Sequence, residues 1–184
     1  MFAANLAMAS GNLKVTLTSS EADAAMVEIS NTKNVHYEIN LFDENGNRIY
    51  YMETETPREE LRKRYDLSNL DDGNYLYTVE IDKEKVTKQL AIDRGEVEVL
   101  DIRKSVDPFF HQEGELLRLT YLNFENQVVK MYLYDENNAE LLATELGNEF
   151  AIHKGIDLSK LRPGNYDLVL VSDHEIYQHD IELD

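Results

Sequence analysis

The chain has no cysteine and no tryptophan, and only three prolines and eight glycines among its 184 residues. Without cysteine there is neither a disulfide framework nor a thiolate metal site. No apolar run approaches the roughly 20 residues that a membrane-spanning helix needs. Basic side chains are scarce: 18 Lys and Arg stand against 36 Asp and Glu, a net charge of −18. A surface of that sign repels phosphate backbones and anionic headgroups, so neither nucleic acid nor a membrane surface is an expected partner. The excess is uneven. Residues 1–94 carry 11 basic and 17 acidic side chains, net −6, and residues 95–184 carry 7 and 19, net −12. Helical periodicity sustained over several turns is also missing.

What fills the chain instead is alternation of period two, the pattern of half-buried strands. Leu13, Val15 and Leu17 alternate with Lys14, Thr16 and Thr18. Ala25, Val27 and Ile29 mark a second strand, and Asn31 to Asn34 reads as a turn. Tyr37, Ile39 and Leu41 lead to Asp43-Glu44-Asn45-Gly46-Asn47, a hairpin loop with glycine at the left-handed position. Pro57 disfavours sheet pairing around it, so Arg58 to Arg64 is expected to form one helical turn or a charged loop with local ion pairs.

The alternation is punctuated twice by one phrase. Tyr65-Asp66-Leu67-Ser68-Asn69-Leu70-Asp71-Asp72-Gly73-Asn74-Tyr75 returns 91 residues later as Ile156-Asp157-Leu158-Ser159-Lys160-Leu161-Arg162-Pro163-Gly164-Asn165-Tyr166. Gly73 and Gly164 sit where a sharp reversal would favour positive φ. Tyr75 and Tyr166 follow at the spacing of a tyrosine corner, in which a buried ring sends its hydroxyl to an upstream backbone carbonyl. The hairpin also recurs, as Asp135-Glu136-Asn137-Asn138. Such duplication implies two similar modules.

The expected architecture is therefore all-β: two tandem antiparallel immunoglobulin-like or fibronectin-like β-sandwiches of about seven strands each, over residues 11–94 and 95–184. Val97 and Val99 are expected to begin the second, and Asp101 to Gly114 to form a connection in which Phe109 and Phe110 pack away from water. Residues 1–10, apolar and ending in a small-x-small pattern at Ala7-Met8-Ala9, read as a signal-peptide remnant or a disordered start.

The order of apolar strand, Asp-x-x-Gly hairpin, Asp-Leu-Ser-x-Leu-x-x-Gly-x-Tyr turn and closing strand resembles the C-terminal sorting-type domains of the type IX secretion route, and immunoglobulin-like secreted domains of the same bacteria. The resemblance rests on Leu41 to Gly46 and Asp66 to Tyr75 in the first repeat, and on Leu133 to Asn137 and Asp157 to Tyr166 in the second. It implies the sandwich fold and export to the periplasm, outer-membrane surface or medium of a Gram-negative bacterium. Two departures, the two copies filling nearly the whole chain and the acidic Asp180 to Asp184 end, leave the sorting activity itself as an alternative.

No catalytic residue is expected. None of His36, His111, His153, His174 and His179 lies in a nucleophile elbow or a His-Glu-x-x-His helix, and His174 and His179, five apart, would face opposite sides of a strand. No cofactor is expected. Asp43, Asn45 and Asn47 offer alternate oxygen ligands for calcium, as do Asp135 and Asn137, but without the distal glutamate of an EF-hand loop. Of Tyr50 and Tyr51 one must face outward. Tyr132 and Tyr134 share the face opposite Val129, Met131 and Leu133, and form a possible binding surface. The function expected is that of a non-catalytic exported module that binds protein as a scaffold or adhesion unit, with glycan as the alternative ligand.

Overall fold

The computed structural model describes residues 13–21 and 23–183, so the two readings of residues 1–10 lie outside the described residues. The chain divides into two compact units, Met1–Lys104 and Ser105–Asp184. Every regular element among the described residues is a strand.

The first unit holds β1 (Lys14–Glu21), β2 (Ala24–Val35), β3 (Glu38–Phe42), β4 (Arg48–Glu53), β5 (Arg58–Asp66), β6 (Gly73–Ile81), β7 (Glu84–Asp93) and most of β8 (Glu96–Val106). One sheet runs β1-β2-β5 and the other β4-β3-β6-β7-β8. Their inward faces supply one core, with Val27, Ile29, Tyr37, Ile39 and Val79 at most 1% exposed. The second unit holds β9 (Phe109–Glu113), β10 (Leu116–Leu122), β11 (Val129–Asp135), β12 (Glu140–Gly147), β13 (Ala151–Asp157), β14 (Gly164–Val171) and β15 (Ile176–Leu183). Its sheets are β13-β10-β9 and β12-β11-β14-β15, around Leu117, Leu119, Met131, Leu168 and Leu170. Removing each such side chain from water contributes about 1.5–3 kcal/mol. Both units are antiparallel sandwiches.

The duplication extends to register. β6 pairs β7 with Gly73 opposite Ile92 and Tyr75 opposite Leu90. β14 pairs β15 with Gly164 opposite Leu183 and Tyr166 opposite Ile181, each partner displaced by the same 91 positions. A one-residue slip would turn every apolar side chain to the wrong face, so the alternation itself holds this register.

Four expectations differ from the structure. Asn31 to Asn34 is not a turn: β2 runs through to Val35, and the four residues form an irregularity in its pairing with β5 between Ser30 and Val35. Arg58 to Arg64 is neither helix nor loop but most of β5, in which Glu60 to Arg64 pair residue by residue with β2. Pro57 stands just before the strand, where its missing donor costs nothing. The period was hidden because Lys63 counts as polar, yet it points inward with Leu61 and Tyr65 while Arg62 and Arg64 point out. The unit boundary falls at 104/105, not 94/95. Arg94 (φ 51°) and Gly95 (φ 77°) form the two central residues of a tight hairpin turn, with both φ positive as type I′ requires, and β8 returns along β7 so that Val97 and Val99 pack on the first core. The first unit thus has an eighth strand, and the connection expected at 101–114 is the end of β8, β9 and a turn. Finally, the paired glycines are not equivalent. Gly164 has φ 153°, whereas Gly73 has no positive φ and simply opens β6.

Candidate binding surfaces

The duplicated turn is built from the same bonds in both units. Asp66 Oδ1 accepts from the Ser68 amide at 3.0 Å, and Asp157 Oδ1 from the Ser159 amide at 3.0 Å. The Leu70 amide donates to the Leu67 carbonyl and the Leu161 amide to the Leu158 carbonyl, each at 2.9 Å. Tyr75 Oη donates to the Asp71 carbonyl and Tyr166 Oη to the Arg162 carbonyl, both at 2.7 Å. Because the acceptor is a backbone carbonyl, Arg162 serves in the place of Asp71. Tyr75 and Tyr166 thus close the turn in both units, whereas Gly73 only opens β6. Tyr75→Phe and Tyr166→Phe should each cost about 1 kcal/mol, read as a lower denaturation midpoint at unchanged slope.

The hairpin aspartates are equally committed. Asp43 Oδ1 accepts from the Asn45 amide at 2.9 Å and the Asn47 amide at 2.8 Å, while Oδ2 accepts from Asn47 Nδ2 at 2.9 Å. Asp135 Oδ1 accepts from the Asn137 and Ala139 amides, both at 2.9 Å. The left-handed position is Gly46 (φ 80°) in one hairpin and Asn138 (φ 59°) in the other. Both oxygens of Asp43 face amide donors rather than an open coordination site, and Asn47 turns its amide N–H to the same carboxylate. The three calcium candidates therefore close a loop.

These bonds favour the ionised carboxylate. The Asn47 side chain and amide hold Asp43 below its ordinary pKa, and the Ser68 and Ser159 hydroxyls and amides do the same for Asp66 and Asp157. A depressed folded-state pKa contributes stability that is fully present above the unfolded value, about 3.9 for aspartate, and lost as pH falls through the folded value. Carboxyl-carbon NMR titration should place all three below that value. Asp66→Asn and Asp157→Asn should each flatten the fall in stability below about pH 4.

Tyr132 and Tyr134 project from the outer face of β11, half-buried, with rings stacked at 6.3 Å and 21°. Tyr132 lies between Ala143 of β12 and Val169 of β14, and Tyr134 between Glu140 and Asp167. Val169 and Val171 flank them, and Ile176, opposite Val171, is 72% exposed. The result is an apolar strip across four strands with carboxylates at one end. In the first unit Tyr51 is the outward member of its pair, under the Arg48 guanidinium at 4.8 Å.

Sequence reasoning missed a cluster inside the first unit. Lys63 Nζ donates to Tyr50 Oη at 2.6 Å and lies 5.2 and 5.5 Å from the Tyr50 and Tyr65 ring centres. Tyr65 meets Tyr77 edge-on, their hydroxyls 3.3 Å apart. Burial, then the neighbouring phenol, pushes Tyr65 far up, and burial does the same for Tyr77. These phenols stay protonated and act as hydrogen-bonding groups. Beside them is an apolar cavity of about 150 Å³ lined by Val27, Leu41, Leu70 and Ile92 among others. Lys88, inward on β7 and 4% exposed, is pushed down by burial. Only the inward alternation of residues 61, 63 and 65 signalled the cluster.

The histidines are dispersed. His36 Nδ1 meets the Thr54 carbonyl at 2.7 Å, and His174 lies 3.7 Å from Glu125. His111 stacks on exposed Phe109, and His179 stacks at 4.2 Å on Phe110, which packs on the second core. His153 meets Thr120 Oγ1 at 3.2 Å across the exposed face of the β10–β13 pair. Only Phe110 of the two phenylalanines is thus covered; Phe109 is 59% exposed.

The hairpin, the committed aspartate and the tyrosine corner of the first unit lie in a stretch with a known counterpart. Residues 22–93 match the model of the secretion system C-terminal sorting domain. The matched stretch ends with β7, so β8 and the second unit lie beyond it. The sorting-domain resemblance noted in the sequence thus holds for the first repeat, with the sandwich fold it implies. Among solved structures, the BSP domain of a biofilm-associated protein is 12% identical over 92% of this chain and 29% of its own, with a TM-score of 0.31. This chain therefore spans under a third of that protein's length. A two-domain fibronectin type III segment of chicken tenascin is 8% identical over 94% and 99% of the two chains, at 0.36. The chicken CNTN1 FN1–FN3 domains are 8% identical over 92% and 63%, at 0.34. The fold assignment rests on the sheet order and register above, not on these similarities. No curated protein matches the chain.

Proposed function

We propose that the protein is an exported, non-catalytic β-sandwich module that works by binding another protein, as a scaffold or adhesion unit. The observation that carries export is the sorting-domain match over residues 22–93. The strip of half-buried Tyr132, Tyr134 and Val169, edged by exposed Ile176, supports binding, because apolar surface left on the outer face of an otherwise highly charged protein marks an interaction site. Export is tested by fractionating cells that have, and cells that lack, the secretion system. Protein outside the cytoplasm only in the first supports the reading, and cytoplasmic protein in both sinks it.

The stacked Tyr132–Tyr134 pair favours glycan as a second reading, since a sugar ring stacks on such a platform. Glycan-array binding lost in Tyr132→Ala and Tyr134→Ala would favour it over protein. In the sorting alternative the first unit is the part read by the secretion system, and a reporter fused to residues 13–104 would leave the cell.

A further inference from the structure

The Lys63 cluster and the cavity beside it lie at one margin of the first sandwich. β4 and β5 are outer strands of their two sheets, and Lys63 of β5 reaches across to Tyr50 and Met52 of β4. Tyr50, Tyr65 and Tyr77 all line the cavity, and its other walls are mostly aliphatic. Ile49, 44% exposed, belongs to both the cavity wall and the protein surface. Leu41 pairs with Tyr50 and Phe42 with Arg48, so Ile49 is the extra residue of a bulge. Bulges re-aim side chains at sheet edges and beside active sites. The way in from solvent is therefore at Ile49.

A count of hydrogens shows what the cavity lacks. Each of the three phenols brings one donor hydrogen. The Lys63 ammonium can only donate, and it does so to Tyr50 Oη at 2.6 Å. Tyr65 and Tyr77 share one hydrogen across 3.3 Å. Tyr50, edge-on to Tyr65 at 5.3 Å, has room to place a second there. Among the described residues the three hydroxyls have no further acceptor, so at least one O–H is left without one. A chain headed by an ammonium, from Lys63 through Tyr50 and Tyr65, leaves it on Tyr77, which is 3% exposed. Burial keeps Tyr77 protonated, so it stays a donor. A buried donor without an acceptor is costly, and an acceptor held in the cavity removes that cost.

Size and charge narrow the occupant. An apolar space of about 150 Å³ admits one molecule of roughly benzene size. A carboxylate is disfavoured, because it would enter apolar surroundings unpaired while Lys63 is turned to Tyr50 and Met52.

We propose that this cavity binds a small neutral molecule with an apolar body and one acceptor oxygen, of the class of a ketone, ester or ether, which takes the hydrogen bond of the buried phenol. The inference goes beyond protein binding and export and rests on neither. The probe is acetophenone, isotope-labelled at its carbonyl carbon, added to the full chain and followed by methyl and tyrosine-ring NMR. Saturable binding is expected, with shifts confined to cavity walls such as Val27, Leu41, Leu70 and Tyr77 and none in the second unit. The bound carbonyl carbon should resonate downfield of its position in a hydrocarbon solvent, as a hydrogen-bonded carbonyl does. Ala25→Leu, which puts a side chain into the space, should weaken binding at least about tenfold. No binding at about 1 mM probe, shifts spread over both units, a carbonyl carbon at its hydrocarbon position, or undiminished binding by folded Ala25→Leu overturns the proposal. A cavity that takes water only gives the first of these results. Should Ala25→Leu not fold, the wild-type shifts alone decide.

Discussion

Leu168→Ala is expected to lower the stability of the second unit by about 2–5 kcal/mol, the range for a large core residue truncated where neighbours relax only in part. Leu168 is fully buried on β14, which lies between β11 and β15, and its cross-strand partners are Leu133 and His179. The alanine variant should show a lower denaturation midpoint at unchanged slope and faster exchange of the β14 amides. Tyr132→Ala, on the outer face of the neighbouring strand, should cost far less. A loss at Tyr132 as large as that at Leu168 would mean that the strip belongs to a covered interior, and it would remove the surface on which the binding reading stands.

The second large effect is at Gly95. With φ at 77°, any side chain there pays roughly 1–2 kcal/mol for the left-handed conformation. A methyl group would also overlap the Asp23 carboxylate and come within 2.9 Å of the Asp23 amide nitrogen. Asp23 cannot readily move, since its φ is 61° and its carbonyl accepts the Leu67 amide at 2.8 Å. Strain and overlap together put Gly95→Ala at about 2–4 kcal/mol. The second sandwich was expected to begin at residue 95, and a glycine in an open connection there would tolerate alanine at almost no cost. Thermal melts of the two proteins thus separate a hairpin turn that belongs to the first unit from a connection between units.

The alternation of small sets of residues such as Val27 and Ile29, or Leu168 and Leu170, was enough to read all-β structure and two sandwiches. The repeated turn was enough to place Tyr75 and Tyr166. These are local quantities: a strand's two faces and a turn's hydrogen bonds are written within about ten residues. The alternation also set Tyr132 and Tyr134 on the face opposite Met131 and Leu133, but only the packing of the sheets decided which of the two faces is the outer one.

What the sequence by itself determined is thus the class of fold, its duplication and the chemistry of the turns. Tertiary structure alone decided which strand belongs to which sheet. Lys63 looks polar until Tyr50 and Tyr65 are brought around it from other strands, so β5 was invisible as a strand. Arg94-Gly95 looks like a boundary until β8 is seen to pair with β7. Both depend on contacts between residues far apart in the chain, where burial and pairing override the local preference of each residue.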